Sequence, residues 1–114
     1  MEERLFDLKK LARFGAEPQR ILLYTTEKTL NAMWCLEPGQ EVFLHRHPNA
    51  EDVWICLEGD EGVYFAGDGQ EFTIREGMAI LARPGDTHGM RNTGKKRFVF
   101  VGVVAPVPVE TEKL

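Results

Sequence analysis

His45 and His47 stand one residue apart in the run Glu41-Val42-Phe43-Leu44-His45-Arg46-His47, and a third histidine, His88, follows the turn-forming Pro84-Gly85-Asp86-Thr87. Residues two apart on a strand leave the same face, so the first two imidazoles are expected to point the same way. Between these segments lie two acids, Glu51 and Asp52, just ahead of the apolar run Val53 to Leu57. Three imidazole nitrogens and one carboxylate oxygen suit a borderline divalent ion such as Mn, Fe, Co, Ni or Zn, and leave positions open when the ion prefers six ligands. Strand parity leaves the choice of acid open. Val53, Ile55 and Leu57 accompany Glu51, whereas Trp54 and Cys56 accompany Asp52, and either set could face inward.

The elements that must position these groups read as short strands. Arg20 to Thr25, Thr29 to Leu36, Gln40 to His47, Val53 to Leu57, Gly62 to Ala66, Phe72 to Ile74, Met78 to Ala82, a strand beginning near His88, and Arg97 to Val104 alternate with turn residues. Gly39, Gly59, Gly77 and Gly85 fall where turns need positive backbone angles. Strands this short, at such regular intervals, describe an all-β sandwich or closed barrel. By parity, Phe43 accompanies the histidines while Val42, Leu44 and Arg46 face the other way. A strand apolar on both faces is either central or paired with a second subunit, so a homodimer is expected. Phe43, Trp54, Cys56 and Met90 are the candidates to line a pocket at the histidines, although such side chains also fill the interiors of small barrels. Asn92, two residues past Met90, is expected to help form the following turn.

The 114 residues suit one domain, with an arm over 1–19, a barrel core over 20–104 and an extended tail over 105–114. Leu5, Leu8, Leu11 and Ala12 sit at roughly helical spacing and suggest a short amphipathic helix or an irregular arm. Pro106 and Pro108 restrict the tail to a sheet edge or an extended course. A net charge of -4 argues against a nucleic-acid surface. No apolar stretch approaches a membrane span, and MEERLFDLKK lacks the apolar core of a signal peptide, so a cytoplasmic protein with no membrane partner is expected. Cys35 and Cys56 sit in apolar runs, where buried free thiols are expected.

Gly39, His45, His47, Asp52 and Gly59, followed by Gly77, Gly85, His88 and Asn92, resemble the two sequence motifs of the cupins. The resemblance departs from the family in two places: Asp52 stands at the family's glutamate, and Arg83 stands at its proline. It implies a small jelly-roll β-barrel with one divalent transition ion on His45, His47, His88 and a carboxylate. Spacing to Gly59 favours Asp52 over its neighbour Glu51. All three histidines of the chain fall at ligand positions. Cupins include dioxygenases, isomerases, decarboxylases and lyases, so the resemblance implies a metal-dependent enzyme acting on a small oxygen-rich molecule, or else a binder or sensor without turnover. If Asp52 holds the metal, Glu51 is the nearby candidate for a general base. Arg83, if it reached over the barrel mouth, could pair with an anionic substrate.

Overall fold

Runs of β-branched and aromatic residues, punctuated by glycine and proline, favour short strands paired across tight turns. The computed structural model describes residues 4–114; the first three residues of the expected arm lie outside them. The helix α1 (Leu8–Leu11) precedes β1 (Gln19–Thr25), β2 (Leu30–Leu36), β3 (Glu41–Arg46), β4 (Glu51–Glu58) and β5 (Gly62–Ala66). Then come β6 (Glu71–Ile74), β7 (Ala79–Ala82), β8 (His88–Asn92), β9 (Phe98–Ala105) and β10 (Glu112–Lys113). They form two five-stranded antiparallel sheets, ordered β1-β2-β9-β4-β7 and β10-β3-β8-β5-β6, in the jelly-roll arrangement. None of the helices among the described residues is long and apolar enough to cross a membrane.

The sheets close over Leu36, Val42, Trp54, Cys56, Tyr64, Ile74, Met90, Phe98 and Phe100. Fully burying each large apolar side chain contributes roughly 1.5–3 kcal/mol, so this cluster is the main source of cohesion between the layers. Asn92 adds a polar tie at one end. Its Nδ2 donates to the Leu36 carbonyl at 3.1 Å and the Lys96 carbonyl at 2.8 Å, and its Oδ1 accepts from the Gly94 amide. The residue therefore shapes the turn after β8 and also fastens β2 across the barrel. Gly39, Gly59, Gly77 and Gly85 adopt φ of 87°, 142°, 89° and 85°, the turn geometry expected of them.

Only part of the expected helical arm is helical. The Asp7 side chain accepts from the Lys10 amide and caps a single turn, after which Ala12 is already extended. Leu8, Ala12 and Phe14 pack on a second cluster of Ile21, Met33, Cys35 and Val99, covering the outer face of β1 and β2. Leu5, placed on the apolar stripe by its spacing, is 88% exposed.

The parity expected along β3 fails at Val42. Val42 pairs with Met90 and His45 with His88, so three steps on β3 oppose two on β8. This one-residue bulge turns Val42 inward along with His45, where strict alternation would have sent it out. Gly89 on β8 makes the bulge possible, because a Cβ there would lie 2.9 Å from the Val42 carbonyl oxygen and 3.4 Å from the Leu44 amide. These are backbone atoms of β3 and cannot yield cheaply. We expect Gly89→Ala to destabilise the protein by about 1–3 kcal/mol, the usual cost of forcing extra volume into a packed site. Urea unfolding checks it, and an unchanged midpoint would mean that the bulge does not depend on the missing side chain.

Candidate metal centre

Four side chains from three strands and one turn converge at the open end of the barrel. His45 sits on β3, His47 just beyond its end, His88 at the first position of β8, and Asp52 on β4 of the opposite sheet. Their exposures are 6%, 8%, 1% and 4%, and one ligand atom from each lies within 4.8 Å of all the others. The inward parity on β4 belongs to Asp52, Trp54 and Cys56, which are all buried. Glu51 is exposed on the other side, so the open choice between the acids resolves geometrically toward Asp52. The same parity removes Glu51 as a base at this site.

The ring orientations show what the cluster can hold. His45 Nδ1 lies 2.8 Å from the Phe43 carbonyl, His47 Nδ1 3.0 Å from the Glu110 carbonyl, and His88 Nδ1 3.0 Å from the Asp86 carbonyl. A carbonyl oxygen can only accept, so each Nδ1 carries the proton and each neutral ring presents a bare Nε2 lone pair. His88 Nε2 lies 3.2 Å and His47 Nε2 3.4 Å from Asp52 Oδ2. Lone pairs aimed at a carboxylate repel unless a cation lies among them, either a proton on a ring or a metal ion. Asp52 Oδ2 also accepts from Trp54 Nε1 at 3.1 Å, while its buried Oδ1 has no hydrogen-bond partner. Each of the three Nε2 donors thus comes with its outer nitrogen tied, beside a carboxylate with unused capacity, and this donor set fits a divalent transition ion.

Proton affinities follow from the same contacts. Burial pushes the His45 imidazolium down to about 4; the Phe43 carbonyl works against this, and His88 and His47 add to it. Burial also disfavours charge on His47, but the hydrogen bond to Asp52 and the Glu110 carbonyl outweigh it and raise the proton affinity, with nearby Arg20 opposing. The Asp52 carboxyl, which burial alone would raise, is held below its usual range by His47 and His88.

A cavity of about 340 Å³ opens onto the cluster, near the lower end of the roughly 300–1,000 Å³ common for small-molecule sites. Phe43 and Trp54 line it as expected from the sequence. Cys56 and Met90, expected beside them, do not; both lie deeper, in the core between the sheets, because the inward-facing positions continue past the cavity floor. Burial pushes the Cys56 thiol up to about 11, as suits an inert core residue. Arg83 lies in a separate groove with Asp68 and Asp86. The cation in the metal-side cavity is Arg20, which spacing did not single out.

Two further contributors escaped the sequence. The first is Gly102, where a Cβ would meet Trp54 Cδ1 at 3.0 Å and Asp52 Oδ1 at 3.3 Å, so the missing side chain leaves the floor open. An isolated glycine within an apolar strand is the signal that could have found it. The second is the tail. Asn49 Nδ2 donates to the Pro108 carbonyl at 2.8 Å, the Glu110 amide donates to Asn49 Oδ1 at 2.9 Å, and β10 pairs with β3. The tail thereby sets Val109 and Thr111 into the cavity wall and delivers the carbonyl that orients His47.

Comparison with known proteins agrees with this fold. A cupin-domain family model matches residues 32–104. An oxalate-binding protein of Thermotoga maritima is 33% identical over 69 residues, which cover 60% of this chain and 55% of that protein, so the chain spans only about half of its length. A Klebsiella pneumoniae protein with a double-stranded β-helix domain superposes with a TM-score of 0.93 at 34% identity, covering 98% of this chain and 97% of that one. A predicted oxalate decarboxylase from Thermotoga maritima gives 0.72 at 26% identity over 79% of this chain and 81% of that one.

The depressed His45 carries a pH signature. Between its ordinary value of 6.5 and about 4, the unfolded chain takes up a proton that the folded protein refuses, so stability falls as pH falls through that window. Asp52 extends the loss to lower pH, while His47, shifted upward, opposes it near neutrality. We expect chelator-treated protein to lose about 2 kcal/mol on His45's account between pH 7 and pH 4.5. Urea titrations at both values should show a flatter dependence for His45→Gln; parallel slopes would exclude His45 as the source.

Proposed function

The chain belongs to the cupin family, and on that premise we propose that it is a metal-dependent cupin that activates a small oxygen-rich molecule at a divalent transition ion held by His45, His47, Asp52 and His88. The observation that carries this reading is the set of three buried imidazoles whose Nδ1 atoms are all tied to carbonyls, leaving three Nε2 lone pairs and a carboxylate to converge. A bound ion would supply Lewis acidity and open positions for a chelating substrate. The protein's own part is to orient the ligands through the Phe43, Glu110 and Asp86 carbonyls. It also shields the site with Trp54, Phe43 and the tail, and it offers an opening sized for a small molecule. The oxalate-related names of two similar proteins support a small carboxylate as the ligand class.

A second reading, binding without turnover, is favoured by one observation. Among the described residues Asp52 is the single carboxylate lining the cavity, and Glu51 faces away, so none of their other side-chain carboxylates stands ready to move a substrate proton.

We also propose a homodimer. The arm covers β1 and β2, but Ile55 and Leu57 on β4 and Leu81 on β7 remain 38%, 38% and 48% exposed on the same outer face, which supports a second copy there. Light scattering that gives the mass of one chain at micromolar concentration would end this proposal.

For the metal centre, elemental analysis of purified protein should find close to one divalent transition ion per chain, lost in His88→Ala. Metal-free wild type, or an unchanged content in the variant, ends the assignment. Incubating the loaded protein with oxygen and a panel of oxalate, diketones and sugar acids then separates the two readings: a product supports the enzyme, and tight binding with no product supports the binder.

A further inference from the structure

Among the described residues the cavity holds one cation besides the histidines, and we propose that Arg20 clamps a carboxylate of a small dianionic ligand whose remaining oxygens face the four-residue cluster. This deepens the metal reading above and rests on it.

Strand register places the residue. Arg20 pairs with Trp34 and Leu22 with Ala32, and directly paired residues share a sheet face. Trp34 and Ala32 both line the cavity, so Arg20 leaves β1 on the cavity side, at its rim. Its guanidinium is free for a ligand. Arg46, Arg75, Arg91 and Arg97 each meet a surface glutamate, whereas Arg20, like Arg4, Arg13 and Arg83, makes no ion pair among the described residues, and of those four only Arg20 lines this cavity. The walls between it and the cluster are largely apolar, formed by Leu30, Trp34, Phe43 and Val104, and Asp52 is the only acid among the lining residues. A planar guanidinium over apolar walls is suited to grip a carboxylate with two parallel hydrogen bonds.

Charge sets the ligand class. A divalent ion, the Asp52 carboxylate, three neutral imidazoles and Arg20 leave two positive charges around one small cavity. A small dicarboxylate cancels both, while a neutral sugar or diketone leaves the exposed Arg20 paired with water alone. Arg20 lies outside residues 32–104, where the cupin family model matches.

The test is calorimetric titration of oxalate into cobalt-loaded wild type, Arg20→Gln and Arg20→Lys, with imidazole as an uncharged ligand for comparison. We expect Arg20→Gln to weaken oxalate about 10-fold or more, the scale of a lost charge-assisted pair. Cobalt content, visible spectrum and imidazole affinity should stay unchanged, and Arg20→Lys should recover part of the loss. The clamp is overturned by equal oxalate affinity in wild type and Arg20→Gln, by a matching loss for imidazole, or by a loaded wild type that binds neither oxalate nor malonate. Failure of the metal reading looks different, because the chain then takes up no cobalt. In that event the same titration on metal-free protein still decides: Arg20-dependent oxalate binding keeps the clamp, and its absence overturns it.

Discussion

Three hydrogen bonds from imidazole Nδ1 atoms to backbone carbonyls govern the rest of this structure. Each fixes a tautomer, and together they force three Nε2 lone pairs toward one carboxylate among buried side chains at the cavity floor. Groups that only accept cannot satisfy one another, so the arrangement favours a cation among them, either a proton on a ring or a metal ion. The rest of the barrel holds that electrostatic demand in place. Trp54 Nε1 offers Asp52 its one neutral donor, and the partnerless Oδ1 shows that the carboxylate has capacity left over.

Holding four such groups together requires both sheets. His45 and His88 face each other across the β3–β8 ladder, Asp52 comes from the opposite layer, and the nine-residue core cluster fixes the distance between the layers. Two absent side chains are as necessary as the ligands. Gly89 lets the β3 bulge approach β8, which brings Val42 and His45 inward together, and Gly102 leaves space beside Trp54 and Asp52. The tail completes the enclosure, since Asn49 grips it at Pro108 and Glu110 and so brings a carbonyl to His47. Orientation of His47 thus depends on a residue 63 positions later in the chain.

Much of this was legible beforehand for identifiable reasons. Strand existence followed from β-branched runs and turn residues, because pairing is the only way such segments satisfy their backbone while burying one face. The four cluster residues were readable because they coincide with short motifs. Val42 was placed on the wrong face because a bulge breaks the two-residue period, and its cause, Gly89, lies on a different strand. Cys56 and Met90 were assigned to the pocket because parity gives the face of a residue and says nothing about its depth along the barrel. Arg20 and Thr111 were missed because their relation to the site is spatial alone.

The sequence by itself determined the list of elements, their turns and the chemical identity of the donors, since these depend on local propensity and on residue type at short spacing. Only the tertiary structure decided that Asp52 rather than Glu51 meets the imidazoles, which nitrogen each ring presents, and that Arg20 and the tail close the cavity. Those outcomes depend on the distance between two sheets and on carbonyls supplied by remote segments, and no local pattern of residues encodes either.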